Sequence, residues 1–160
     1  MKVRISVWLM LAVVFTIVFP WMRQLEYGQY LPDVWLLLLL IAVPTPFPYS
    51  ARKPIILTLC LALLRSAVSV PSLIASCAAL LAALFVRGQL YRHLSDSLAI
   101  YRFIIGIFSA LPMMLIDMSI ATRHQLPFSV EVIAWRLVLV GLVLTISHRR
   151  SRATLFGGGR

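Results

Sequence analysis

Charge is what this chain has least of. Only 12% of its residues are Asp, Glu, Lys or Arg, where an ordinary soluble domain has about 25%. Acids are scarcest, five against fifteen Lys and Arg. With 61% hydrophobic residues and a mean hydropathy of +0.95, there is too little polar surface to clothe a water-soluble fold, so the solvent is a bilayer. Cysteine is nearly absent as well. Cys60 and Cys77 lie inside apolar runs without His, Asp or Glu at ligand spacing, and they read as small packing residues rather than metal ligands. The sequence has no HExxH, Walker loop or GxSxG, which speaks against a membrane protease or a primary pump. His93, His124 and His148 each fall in or beside a predicted loop, next to an arginine or a short polar run, and read as solvated. No catalytic residue, metal site or cofactor is expected, and no internal repeat is found.

What is there is a series of apolar runs, at residues 5–22, 34–47, 54–86, 99–121 and 132–147. A helix rises 1.5 Å per residue, so about 20 residues cross the hydrocarbon core. The first run follows a basic start, as in a signal peptide, but no small-x-small cleavage site follows it, so it is expected to remain as a first span. The second opens on "LPDVWLLLLL", where Pro32 suits a first helical turn, Asp33 favours a helix N-terminus and Trp35 sits at interfacial depth. It closes on "PTPFPYS", whose alternating prolines predict an extended connector.

The third run holds one charge, Arg65, between Pro54 and Val86. As one helix its 33 residues would be about 50 Å long, more than tilt absorbs. Pro71 and the serines of "RSAVSVPS" predict a split into two short spans. Charge placement favours the same division. Six spans with an internal N-terminus put Lys2, Arg4, Arg52, Lys53, Arg87, Arg92, Arg102, Arg149, Arg150, Arg152 and Arg160 inside. Arg23, Arg65, Arg123 and Arg136 are then outside, eleven against four. Five spans give six inside and eight outside with Arg65 stranded in lipid, contrary to the positive-inside bias.

The expected fold is therefore an all-α integral membrane protein with six transmembrane helices, at about 5–22, 31–47, 54–69, 71–86, 99–121 and 130–147. Spans three and four form a short hairpin, and residues 149–160 form a mobile, basic, glycine-rich cytoplasmic tail. Both termini are expected in the cytoplasm. The net charge of +10 would suggest nucleic acid in a soluble protein; here it reads as topology and contact with anionic lipid. The cytoplasmic basic groups are Arg52, Lys53, Arg87 and Arg92 in loops, and Arg149, Arg150 and Arg152 in the tail.

Three intramembrane polar residues stand out as functional candidates: Arg65, Asp117 and Arg136. Arg65 is expected at the outer end of the hairpin, snorkelling to headgroups or water. Asp117 lies at similar depth and has three options: a pair with Arg65, a pair with Arg136, or solvation at the nearby interface. Pro112 is expected to kink the fifth span. Ser72, Ala75, Ser76, Ala79 and Ala83 recur at helical spacing and offer a smooth face for a neighbouring helix, of this chain or of a partner.

The order of these features resembles the bacterial rod shape-determining protein MreD family. The resemblance rests on a basic first span, "LPDVWLLLLL" with Pro32 and Asp33, two short spans joined by a small-residue turn, and the basic loop "VRGQLYRHLSD" with Arg87 and Arg92. A longer fifth span, the outer segment "HQLPFSVEVIAW" with Glu131, and a basic tail complete it. The chain departs from the family in span three, where "ILTLCLALLRSAVSVPSL" lacks the usual glycines and aspartate and has Arg65 about where the acid is expected. The resemblance implies a non-enzymatic inner-membrane scaffold of the cell-elongation machinery. Its partners would be MreC, a single-span protein with a periplasmic domain, MreB filaments and peptidoglycan synthases. It also implies a fold similar to the substrate-binding subunits of energy-coupling-factor (ECF) transporters. A second reading is therefore a vitamin- or metal-binding subunit of such a transporter, and a third is an accessory subunit of a larger membrane complex. For the scaffold, the expected mechanism is a lateral groove for a partner's span, oriented by the small face of span four and the basic loops.

Overall fold

The computed structural model describes residues 5–43, 52–94, 98–125 and 129–156. All regular structure among them is helical: α1 (Ile5–Gln24), a 3-10 helix (Gly28–Tyr30), α2 (Val34–Ala42), α3 (Arg52–Val68), α4 (Leu73–His93), α5 (Ala99–Arg123) and α6 (Val130–Phe156). Helices are the expected solution in lipid, because every backbone N–H and C=O finds its partner within the segment. Four of them, α1, α4, α5 and α6, are long and apolar enough to cross a bilayer.

The second predicted span takes a different form. Helix α2 has nine residues, so it is about 14 Å long, half a hydrocarbon core. It is apolar on all sides because most of it is buried: Trp35, Leu36, Leu38, Leu39, Leu40 and Ala42 are in the core, and only Ile41 is exposed. It packs against α1, α3, α4 and α6. The proline-rich connector expected after it, residues 44–50, lies outside the described residues.

The route into α2 depends on one glycine. The chain leaves α1, turns, and lays the 3-10 helix against α1's last turn. A Cβ on Gly28 would collide with the Met22 carbonyl oxygen and stand 2.7 Å from the Arg23 Cα, so only glycine permits this return. Trp35 then locks α2 to α1. Its indole N–H donates to Thr16 Oγ1 at 3.0 Å, and its ring meets Phe19 edge-on, centroids 5.0 Å apart. The Thr16 hydroxyl in turn donates to the Ala12 carbonyl.

The predicted hairpin is present, with its break where Pro71 placed it. Helix α3 ends at Val68, where Ser69 returns both its N–H and its hydroxyl to the Arg65 carbonyl. Helix α4 begins beyond Pro71, its N-terminus capped by Ser72 Oγ accepting from the Ala75 N–H. The arms differ in length, however. Helix α4 continues to His93, past the expected limit at 86, so Arg87 and Arg92 belong to a helix and not to a loop. Helix α6 likewise runs through Arg149, Arg150 and Arg152 to Phe156, where a mobile tail was expected. The apolar pattern ends earlier in both cases, but Arg, Gln, Leu and Ala sustain a helix without it. In α6 nothing interrupts until the glycines that begin at Gly157.

Helices α5 and α6 cross closely, backbone to backbone. A Cβ on Gly106 would stand 2.8 Å from the Gly141 Cα, and one on Gly141 would meet the Phe103 ring at 2.8 Å. This is the small-residue contact by which helices associate in lipid. Pro112 lies inside α5, which continues through it to Arg123. Large apolar side chains such as Met10, Ile17, Trp21, Ile74, Leu115 and Ile146 face outward, an apolar surface suited to acyl chains.

Candidate functional site

The chain's few acids gain their meaning at the end of the bundle that carries the α3–α4 turn. Arg65 lies one turn before the end of α3, Ser76 one turn into α4, Asp117 two turns before the end of α5, and Asp33 at the N-cap of α2. All four converge. Arg65 Nε donates to Asp33 Oδ2 at 2.8 Å, Nη1 donates to Ser76 Oγ at 3.3 Å, and Nη2 lies 2.6 and 2.7 Å from the two oxygens of Asp117. Asp33 serves twice, since its Oδ1 accepts from the Leu36 N–H at 3.1 Å and so caps α2.

The Arg65 side chain is 2% exposed. It does not snorkel. Two carboxylates supply inside the protein what headgroups or water would have supplied outside it, so withdrawal from solvent is offset by charge-assisted hydrogen bonds. Arginine suits this position because its planar fork points several N–H groups in separate directions. Here they reach three different helices.

Of the options for Asp117, the pair with Arg65 is the one formed. Arg136 turns elsewhere: its Nε and Nη2 both donate to the Gln29 carbonyl, at 3.0 and 2.7 Å, tying α6 to the 3-10 helix. Asp33 is the member that sequence reading missed, having been assigned to a helix start alone. The available signal was its depth: in a six-span layout the start of span two and the end of span three meet at one membrane face.

The small face of α4 is turned inward. Ser76, Ala79 and Ala83 are fully buried, Ala75 is half-buried, and Ser72 is exposed in its capping role. This face lies among α2, α3 and α5, so this chain's own helices use it, and it is not open to a partner's span. Cys60 and Cys77 are free thiols, both half-buried.

At the opposite end, Arg87 is buried, with Nη1 donating to the Leu40 carbonyl at 2.5 Å and its guanidinium above the Tyr91 ring. A cation on the last carbonyls of α2 complements that helix terminus. Arg92 is exposed in the last turn of α4, beside His93. Arg52 and Lys53 begin α3. His148 lies within α6 and His93 within α4, and only His124, just past α5, is off a helix.

Comparison of the chain with protein-family models, with curated proteins and with solved structures gives no match.

Proposed function

We propose that this chain is a non-enzymatic scaffold of the bacterial inner membrane, with six spans and both termini in the cytoplasm, acting in the cell-elongation machinery. It binds an MreC-like single-span partner and helps to organise peptidoglycan synthesis. The observation that carries the scaffold reading is the use to which the interior polar groups are put. Arg65, Asp33, Ser76 and Asp117 are spent on one another, holding α2, α3, α4 and α5 in register. A solute-capturing subunit needs convergent polar groups turned toward a cavity; these are turned toward each other. Outward apolar faces, those of α1 and α6 among them, are then available for a partner's span, in place of the buried face of α4. The assignment to cell elongation rests on the MreD-like order of features in the sequence.

The test is affinity capture from the native membrane in mild detergent, through a tag on the C-terminus, with mass spectrometry of what is retained. Recovery of a single-span protein with a periplasmic domain, together with cell-wall synthases, is the expected result. Recovery of an ATPase pair with a coupling transmembrane subunit overturns it in favour of solute uptake.

A further inference from the structure

Arg23 and Arg136 are two cations that the fold holds near each other without an acid between them. Arg23 lies in the last turn of α1, and Arg136 in the second turn of α6. The 3-10 helix joins them. Gly28 sits against the Arg23 backbone, and the next residue, Gln29, accepts at its carbonyl from Arg136 Nε and Nη2. The Arg23 guanidinium is also held in place, 4.9 Å from the centroid of the Phe19 ring, which is itself buried against Trp35.

Like charges placed together repel, and the charge felt most strongly at Arg136 is that of Arg23, ahead of those of Asp117 and Asp33. The ion network cannot balance both arginines. With two carboxylates and one guanidinium it carries one negative charge, which offsets Arg136 and leaves Arg23 over. Among the described residues the only ion pairs are those of Arg65. Glu26 and Glu131, the other acids at this end, are exposed and pair with neither arginine. Donors remain free as well. Arg102 Nε is the only side-chain nitrogen or oxygen among the described residues that is both buried and unpartnered, so the unused Nη1 of Arg136 is open to the surroundings. The Arg23 side chain is exposed and makes no hydrogen bond among the described residues.

The packing order leaves an apolar seam beside this pair. Helices α1 and α3, α3 and α4, α4 and α5, and α5 and α6 pack on one another, whereas α1 and α6 both pack on α2 and on the 3-10 helix but not extensively on each other. Behind that seam, the less buried face of α2 carries Ile41 with the half-buried Val34 and Leu37, at the three- and four-residue spacing of one helix face. Trp21 and Trp135, both exposed, lie two and one positions from the arginines and set their level at the membrane interface. We infer that the seam between α1 and α6 binds one anionic phospholipid, whose phosphate bridges Arg23 and Arg136. Arg136 Nη1–H and the Arg23 guanidinium donate to phosphate oxygens, and an acyl chain lies in the seam against α2. A soluble anion would gain nothing from the apolar seam. A zwitterionic lipid brings an ammonium group that two guanidinium groups repel.

The experiment is native mass spectrometry of the full chain released from mixed micelles of phosphatidylglycerol and phosphatidylethanolamine. The wild-type protein is expected to retain phosphatidylglycerol in preference by about tenfold, as one charged hydrogen-bonded contact implies. Arg23→Gln, a change to an exposed side chain, is expected to lower that preference severalfold, and Arg23→Gln/Arg136→Gln to bring the ratio near one. Arg123→Gln is the control. It removes the same charge from an exposed position at the same end of the bundle, outside the seam, and should leave the preference unchanged. The inference is overturned if the wild-type protein shows no preference, or if folded Arg23→Gln retains all of it. An equal loss in Arg123→Gln also overturns it, because the preference would then follow net charge and not a site. Displacement of phosphatidylglycerol by millimolar inorganic phosphate overturns the lipid assignment, making this a free-anion site.

Discussion

Arg65 and Asp117 stand 52 positions apart in the chain, yet one guanidinium nitrogen lies within 2.7 Å of both oxygens of the carboxylate. The contact joins α3 to α5 across the width of the bundle. With Asp33 on the other side of the same guanidinium, one cation stands between two anions, and neither acid can lose it without facing the other in a medium of low dielectric.

Replacing Arg65 is therefore expected to be far worse than removing a salt bridge at a surface. Arg65→Met leaves the buried Asp33 and the partly buried Asp117 uncompensated and should destabilise the bundle by about 3–5 kcal/mol. Neutralising all three groups should recover most of that loss. In Asp33→Asn/Arg65→Met/Asp117→Asn the side chain at 33 still caps α2, and no charge remains in the network. Thermal unfolding of the purified variants in one detergent checks this; a triple variant no more stable than Arg65→Met would show that the charges are not the cause.

The crossing of α5 and α6 should discriminate between its two glycines. Gly106→Ala presses a methyl group onto the Gly141 backbone, whereas Gly141→Ala first meets the Phe103 ring, which can rotate. Overpacking of this kind costs about 1–3 kcal/mol, and Gly106→Ala is expected at the upper end. The comparison is again one of unfolding midpoints.

Ala79→Leu is expected to act on the bundle itself. Ala79 has no exposed surface, so the larger side chain must displace α3 or α5 at a cost of about 1–3 kcal/mol. A fall in thermal stability of the isolated protein is the expected readout. Loss of a partner with stability unchanged would mean that the face is open in the membrane.

The side of the membrane that holds the ion network is testable through the turn beside it. Val70 lies in the α3–α4 link and is 60% exposed. In a variant with Cys60 and Cys77 replaced by Ala, Val70→Cys should react with a membrane-impermeant maleimide applied from the periplasmic side. Protection there, with reaction only after the membrane is opened, would invert the proposed topology.

Much of the framework was legible because lipid makes harsh demands on sequence. A run of apolar residues has few alternatives to a helix when no water is at hand, and Pro71 with Ser72 marked the start of α4. The ends of α4 and α6 were misplaced for the converse reason. Once a helix leaves the apolar region, hydrophobicity stops reporting on it while backbone propensity carries it on, through Arg87 and Arg92 in one case and Arg149 to Arg152 in the other. Helix α2 is shorter than the expected span because residues 31–33 precede its first turn and Val43 caps its end, and composition marks neither boundary.

The sequence by itself determined that the chain is helical, that it suits a bilayer, where it turns at Pro71, and that Asp33 starts a helix. It also singled out Arg65 and Asp117 as charges needing an explanation. Only the tertiary structure decided what that explanation is. Whether a guanidinium near a helix end reaches outward to water or inward to acids depends on the rotation of α3 relative to α2 and α5. That rotation is set by the buried Ala79 and Ala83 surface and by the Trp35 anchor, contacts between residues far apart in the chain. The order of residues alone does not encode that angle; side-chain shapes acting across three helices do.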